Sequence, residues 1–299
     1  MMLKQIFGLC LLCLLALFAT TKAVADSGWE ISFKEKDQIG CFVYTLYYPH
    51  SSQVISKVSL PQDQSLRIID VKHKFNNEKG FISFRYGGTR TEIKGKGSDS
   101  DWTIEGSDIL TDYGVMDVYG DQKLVAIDMG TVLTENEFRK VKILIGWVRQ
   151  ETTNELRNVI YQLIEGVEVG NHTQPDNGSY LNGEFSGLIM GINQDLALRP
   201  NLIFTTGLNL SFLNIKAYGH WANHSPAWNW EDTGRAVGYG ASFGLKYVFN
   251  SNVQAELGYC YNYAKSSGCK EILNGDLLAQ LVDLEYERKG WHGGLIILF

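Results

Sequence analysis

The chain has 299 residues, 44% hydrophobic and 20% charged, with a formal net charge of −6. That acidic balance excludes a nucleic-acid binder working by phosphate neutralisation. Gly (31), Tyr (15), Phe (14) and Trp (7) are abundant while Pro is scarce (5), which favours packed strands over linkers or low-complexity segments.

The N-terminus reads as an export signal. A charged start at Lys4 precedes the apolar run Ile6 to Phe18 and the small-residue stretch Ala23-Val24-Ala25. This three-part layout predicts cleavage near Ala25. Residues 1–25 are then a signal peptide and residues 26–299 one folded domain. Loss of Lys4 and Lys22 would leave 25 basic side chains against 33 acidic ones, a net charge of −8. Cys41, Cys260 and Cys269 would remain, enough for one bridge at most and no disulfide framework. Beyond the signal, no run of apolar residues is long enough for a transmembrane helix.

In chain order, strand patterns begin in the first half over about 29–47, 65–76, 80–95, 121–134 and 141–151, and continue over 182–194 and 201–217. Leu202, Phe204, Leu208, Leu210 and Phe212 alternate with Thr205, Gly207, Asn209 and Ser211 in the last of these. The pattern is strictest over 236–249. There Val237, Tyr239, Ala241, Phe243, Leu245, Tyr247 and Phe249 alternate with small or polar residues. It restarts after Asn250-Ser251-Asn252 with Val253, Ala255, Leu257, Tyr259, Tyr261 and Tyr263. A last stretch over 286–299 places Trp291, Gly293, Leu295, Ile297 and Phe299 on one face. A period of two sustained this long suits a tilted strand crossing a bilayer, with an apolar lipid face and a polar or small lumen face.

These segments make ten strands. Short connections near residues 76–79, 134–140, 194–200 and 250–252 alternate with long ones over about 48–64, 96–120, 152–181, 218–235 and 265–285. The predicted fold is therefore all-β: one transmembrane antiparallel up-and-down β-barrel with long extracellular loops. The expected location is a bacterial outer membrane. Expected partners are outer-membrane lipid and lipopolysaccharide, and the barrel-assembly machinery acting through the strand that ends at Phe299. No cofactor and no metal site is expected. Lys246 and Glu256 fall on adjacent lumen faces and are expected to form an ion pair.

Two polar constellations converge on the extracellular rim. Ser98-Asp99-Ser100-Asp101-Trp102 opens one long connection, and Tyr218-Gly219-His220-Trp221-Ala222-Asn223-His224 opens another. Carboxylates two apart on a strand point the same way and can share a proton or hold a water. A histidine across the lumen would act as general base on that water. The bland reading of the same residues is a solvated acidic rim.

The Asp99-Ser100-Asp101-Trp102 patch, with His73-Lys74-Phe75-Asn76-Asn77, the strands 239–247 and 253–263 and the terminal Phe299, resembles the omptins, ten-stranded outer-membrane endopeptidases. The resemblance implies an acid pair at Asp99 and Asp101, facing a histidine at His220 or His224. Omptins orient that histidine with an aspartate two residues earlier, where this chain has Tyr218 or Ala222. The chain resembles equally the Protochlamydia outer membrane protein family, which implies a porin-like role. Two readings follow: a porin-like or structural surface barrel with an incomplete catalytic rim, or an omptin-type peptidase using Asp99, Asp101 and one of the two histidines.

Overall fold

A computed structural model describes residues 28–299 except 76–78, 174–177, 223–225 and 267. The expected signal peptide and cleavage point at Ala25, His224, and part of the first short turn lie outside the described residues. Fourteen strands form one antiparallel sheet: β1 (Trp29–Tyr47), β2 (Val54–Pro61), β3 (Gln64–Phe75), β4 (Gly80–Thr91), β5 (Ile93–Asp101), β6 (Asp112–Glu135), β7 (Arg139–Ile164), β8 (Val167–Thr173), β9 (Tyr180–Arg199), β10 (Leu202–Trp221), β11 (Trp228–Val248), β12 (Val253–Ser266), β13 (Cys269–Leu273) and β14 (Asp276–Leu298).

The wall has ten staves. β2 and β3 pair successively with the upper and lower parts of β1 and act as one bent stave, broken at Gln62-Asp63. β4 and β5 both lie along β6 and are broken only at Glu92. β12 and β13 likewise share β11 and β14 as neighbours. β8 folds back on the end of β7 as a hairpin. The barrel closes where β14 pairs with β1, from Glu30↔Leu298 to Tyr47↔Leu281, so no sheet edge meets lipid.

The strands run farther than the sequence pattern predicts. β7 has 26 residues and β6 has 24, beyond the length a bilayer needs. Most of the segments expected as long loops are the upper ends of staves. Asp99 and Asp101 lie on β5 and His220 on β10, where loops were expected.

The reason is a change of phase at the membrane boundary, clearest on β10. Leu208, Leu210 and Phe212 point outward and are 50–61% exposed, forming part of an apolar belt. Directly above, Leu213, Ile215 and Ala217 point inward and are 0–8% exposed. The outward positions there are Asn214 and Lys216, both exposed. Lipid rewards apolar side chains on the outside, and water above it rewards them on the inside.

The upper lumen is therefore packed. Phe42, Leu60, Ile93, Met116, Val118, Leu156, Ile215 and Leu284 are at most 2% exposed. Phe185 meets Phe42 edge-on at 6.0 Å and Tyr286 at 5.2 Å, bridging the lumen. An amide layer adjoins this core. Gln38 Nε2 donates to Gln122 Oε1 at 2.9 Å, and Gln62 Nε2 donates to Asn154 Oδ1 at 2.9 Å. Arg288, 1% exposed, donates to Gln62 Oε1 and, at 3.0 Å, to Thr152 Oγ1, with its guanidinium 4.3 Å from the centre of the Tyr286 ring.

The lower lumen is polar and holds a cavity of about 580 Å³. Its charges are largely paired: Lys72 with Glu30 at 2.8 Å, Arg85 with Asp128 at 2.8 Å and Lys142 with Asp195 at 2.6 Å. Lys246 and Glu256 are register partners, as read from the sequence, but the expected ion pair is replaced. Glu256 bonds Lys34 at 2.6 Å and His292 at 3.1 Å, because β1 and β14 bring those side chains closer.

Candidate functional site

β5 alternates Ile93, Gly97, Asp99 and Asp101 inward with Lys94 and Lys96 outward, so the two aspartates share the lumen face. They stand opposite Val58 and Ser56 of β2 on one side and Gly114 and Asp112 of β6 on the other. Ser56 stands near enough to both carboxyls to favour their charged forms. Burial, with Asp101 adjacent, pushes the Asp99 carboxyl well above the usual carboxylate range. Burial lifts Asp101 to about 6 against the influence of Ser56, with Asp112 adding to the rise.

A second carboxyl pair lies in the same upper lumen and was not among the sequence candidates. Asp232 of β11 and Glu271 of β13 are direct cross-strand partners. Both are buried, at 0% and 3% exposure. The Tyr44 hydroxyl donates to Glu271 Oε2 and lies within electrostatic reach of Asp232 and Asp99, linking the two pairs. Burial, reinforced by Glu271, pushes Asp232 up to about 9, and burial also raises Glu271. Each carboxyl leans toward its protonated form, as expected for close acids in an apolar setting.

Two tryptophans and a tyrosine close the group. Tyr161 turns inward because Asn158 takes a φ of 50°, which shifts the side-chain alternation of β7 by one residue. Its hydroxyl lies near the Trp221 indole, and burial raises its pKa. Trp230 crosses over β10 at Gly219, where a Cβ would lie 2.0 Å from Trp230 Cζ2, so only glycine fits.

His220 does not join this group. Residues 212, 214, 216, 218 and 220 of β10 form its outer face, opposite in parity to buried Leu213, Ile215, Ala217 and Trp221. On that outer face the His220 Nδ1 lies 2.7 Å from Asn229 Oδ1, and the ring stacks on Tyr180 at 5.6 Å. Tyr218 shares this face. The expected juxtaposition of His220 with Asp99 and Asp101 across the lumen is thus not formed, because a strand and not a loop carries the histidine and fixes its side. Among described residues the acid pair faces carboxyls and phenols, and no imidazole.

Asp232 carried a readable signal. Extending the inward positions Gly238 and Ala236 by the same period of two passes through Gly234 to Asp232. Its neighbourhood, Trp228-Asn229-Trp230-Glu231, lacks the apolar outward partners that mark a membrane strand, so the alternation is faint there.

No protein-family profile matches the sequence, and no curated protein matches it. The structure is similar to the outer membrane protease OmpT from Escherichia coli, with a TM-score of 0.78 and 11% identity over 94% of this chain and 99% of that one. Weaker likenesses are to the translocator domain of the autotransporter NalP from Neisseria meningitidis (TM-score 0.42, 10% identity, 99% and 98% of the two chains) and to Ail, the attachment invasion locus protein of Yersinia pestis (0.24, 11%, 87% and 97%). The chain has the omptin-like fold of an integral outer-membrane β-barrel.

Proposed function

We propose that this chain is a closed surface barrel of the bacterial outer membrane, which presents its upper staves to the exterior without conducting solutes or cleaving peptides. One observation carries the reading: the lumen is bridged by Phe42, Phe185 and Tyr286 and filled above by residues at most 2% exposed. A ten-stranded barrel is narrow, and open channels belong to barrels of about sixteen strands. The porin-like alternative has no continuous water path through that core to support it.

The omptin-type alternative rests on Asp99 and Asp101, which do share a buried lumen face. Their raised proton affinity suits proton sharing, but the omptin-type reading assigns the general base on water to a histidine facing the pair. The outward orientation of His220 weighs against that role. The barrel's lipid partner is lipopolysaccharide-bearing outer membrane, and insertion proceeds through the assembly machinery on closing strand β14, which ends beside Phe299. The test is planar-bilayer recording on refolded protein. No conductance steps are expected from the wild type, and steady ohmic conductance would overturn the closed-barrel reading.

A further inference from the structure

The lower lumen holds a second chemical group, separate from the acid cluster. On β12, Glu256, Gly258 and Cys260 point inward in succession, and on β14 His292 stands opposite Gly258. The imidazole therefore lies between the carboxylate and the thiol. Gly258 makes this possible, since a Cβ there would lie 2.6 Å from His292 Cε1 and 2.8 Å from Nε2. His292 Nε2 is 3.1 Å from Glu256 Oε1, and the Cys260 thiol, which donates to Gly290 O at 3.6 Å, lies within electrostatic reach of the same ring. Lys36, the register partner of His292 on β1, brings its positive charge toward the same sulfur. Glu256 is itself fixed by Lys34 at 2.6 Å.

This is the arrangement of a thiol nucleophile with a base and an orienting carboxylate. With Nε2–H donated to Glu256, the other ring nitrogen is left to accept the thiol proton when the thiol turns from the Gly290 carbonyl. All three residues line the 580 Å³ cavity, which extends to Lys74, Val132 and Leu298 at the short-turn end, periplasmic in barrels of this fold. Among described residues, that cavity is lined by seven Lys and one Arg against three Asp and two Glu, an excess of three positive charges. Among the described residues the other two thiols lack such a setting. Cys41 is on the outer parity of β1, and Cys269 is buried against Ser266 Oγ at 3.1 Å.

We propose that Cys260, His292 and Glu256 form a reactive-thiol site that captures small anionic disulfides entering from the short-turn end. The Cys260 proton passes to His292, and the sulfur attacks one sulfur of the disulfide. The S–S bond breaks, its electron pair leaves with the distal sulfur, and that thiolate takes the proton from His292. The products are a mixed disulfide on Cys260 and one free thiol; the captured disulfide is the only oxidant.

The test uses refolded full-length protein in lipopolysaccharide-containing liposomes. Two disulfides of similar length and opposite charge serve as probes, the dianion 3,3′-dithiodipropionate and the dication cystamine, with adducts located by peptide mass. Cys260 is expected to react about tenfold faster than Cys41, and faster with the dianion than with the dication. His292→Asn and Glu256→Gln are expected to slow Cys260 by about tenfold or more while Cys41 is unchanged. The proposal is overturned if wild-type Cys260 reacts no faster than Cys41, if cystamine is the faster probe, or if His292→Asn reacts at the wild-type rate. The first two comparisons need no variant, so a substitution that prevents folding leaves the test intact.

Discussion

His220 and Asp232 lie on opposite faces of one two-strand wall: the imidazole meets Asn229 at 2.7 Å on the outside, and the carboxyl meets Glu271 on the inside. Only nine residues separate His220 from Asn229, and the pairing His220↔Asn229 fixes both on the outer parity. The first prediction follows. Wild-type protein is expected to leave a dibasic fluorogenic peptide uncleaved. Tyr218→Asp, which restores an acid two residues before His220, is expected to leave it uncleaved too, since both side chains point away from Asp99 and Asp101. Cleavage that appears in Tyr218→Asp and is lost again in Tyr218→Asp/Asp101→Asn would refute the outward placement.

The acid cluster gives a pH prediction. Burial holds Asp232 at about 9, against an ordinary value of 3.8. The folded barrel thus keeps a proton that the unfolded chain has shed, so this group's contribution to stability is full below about 4 and is lost as pH rises toward about 9. Asp101, lifted to about 6, acts in the same direction over a narrower window. Asp232→Asn is therefore expected to flatten the fall in stability between about pH 5 and pH 8, and to gain about 1 kcal/mol or more at the upper end. Urea titrations at the two pH values measure it, and an unchanged slope would remove Asp232 from the account.

The membrane belt is tested by parity. Leu245 and Leu257 are outward, 44% and 58% exposed, and directly paired. Leu245→Arg or Leu257→Arg is expected to cost about 2–4 kcal/mol in a bilayer near the midplane. Ser242→Arg and Asn262→Arg, on the lumen parity, are expected to cost less. Refolding into liposomes across a denaturant series gives both values, and equal losses on the two faces would mean the belt is misplaced.

Arg288 is expected to matter through its acceptors. Arg288→Leu leaves Gln62 Oε1 and Thr152 Oγ1 without their donor in a buried layer, at about 1–3 kcal/mol for each group left unmade. Thr152→Val in the same background should recover part of that loss, because the orphaned hydroxyl is then gone. A double-mutant cycle in urea reads the coupling, and strict additivity would mean the two side chains do not depend on each other.

Much of the wall was legible from residues alone. Val237 to Phe249 and Val253 to Tyr263 announce their lipid face because every second side chain meets hydrocarbon, and the structure places those residues outward. The ten staves follow from counting such runs. The upper staves were read as loops for a physical reason: Lys94, Lys96, Glu155 and Arg157 face water there, so the apolar half of the alternation moves to the lumen side and the contrast inverts. The breaks at Gln62-Asp63 and Glu92 carry no apolar signal at all. Asp99 and Asp101 were found because adjacent carboxylates are conspicuous. The Asp232–Glu271 pair was invisible because 39 residues of chain separate two acids that only the pairing of β11 with β13 makes neighbours. The side of the wall taken by His220 depended on whether residue 220 lies in a strand or a loop, which pattern at a stave's end does not decide.

The phase change between Phe212 and Leu213 has a consequence for how such a barrel is assembled. The staves must carry Lys216, Glu155 and Arg157 across the hydrocarbon before those side chains reach water on the far side. They cannot travel through a lumen already filled by Phe42, Phe185 and Leu156. Translocation of the upper staves is therefore expected to precede closure of the inner core, which would act as a latch set after the wall is threaded. Once set, it opposes retreat, since withdrawing any stave would drag charges back through lipid and empty the apolar interior at the same moment.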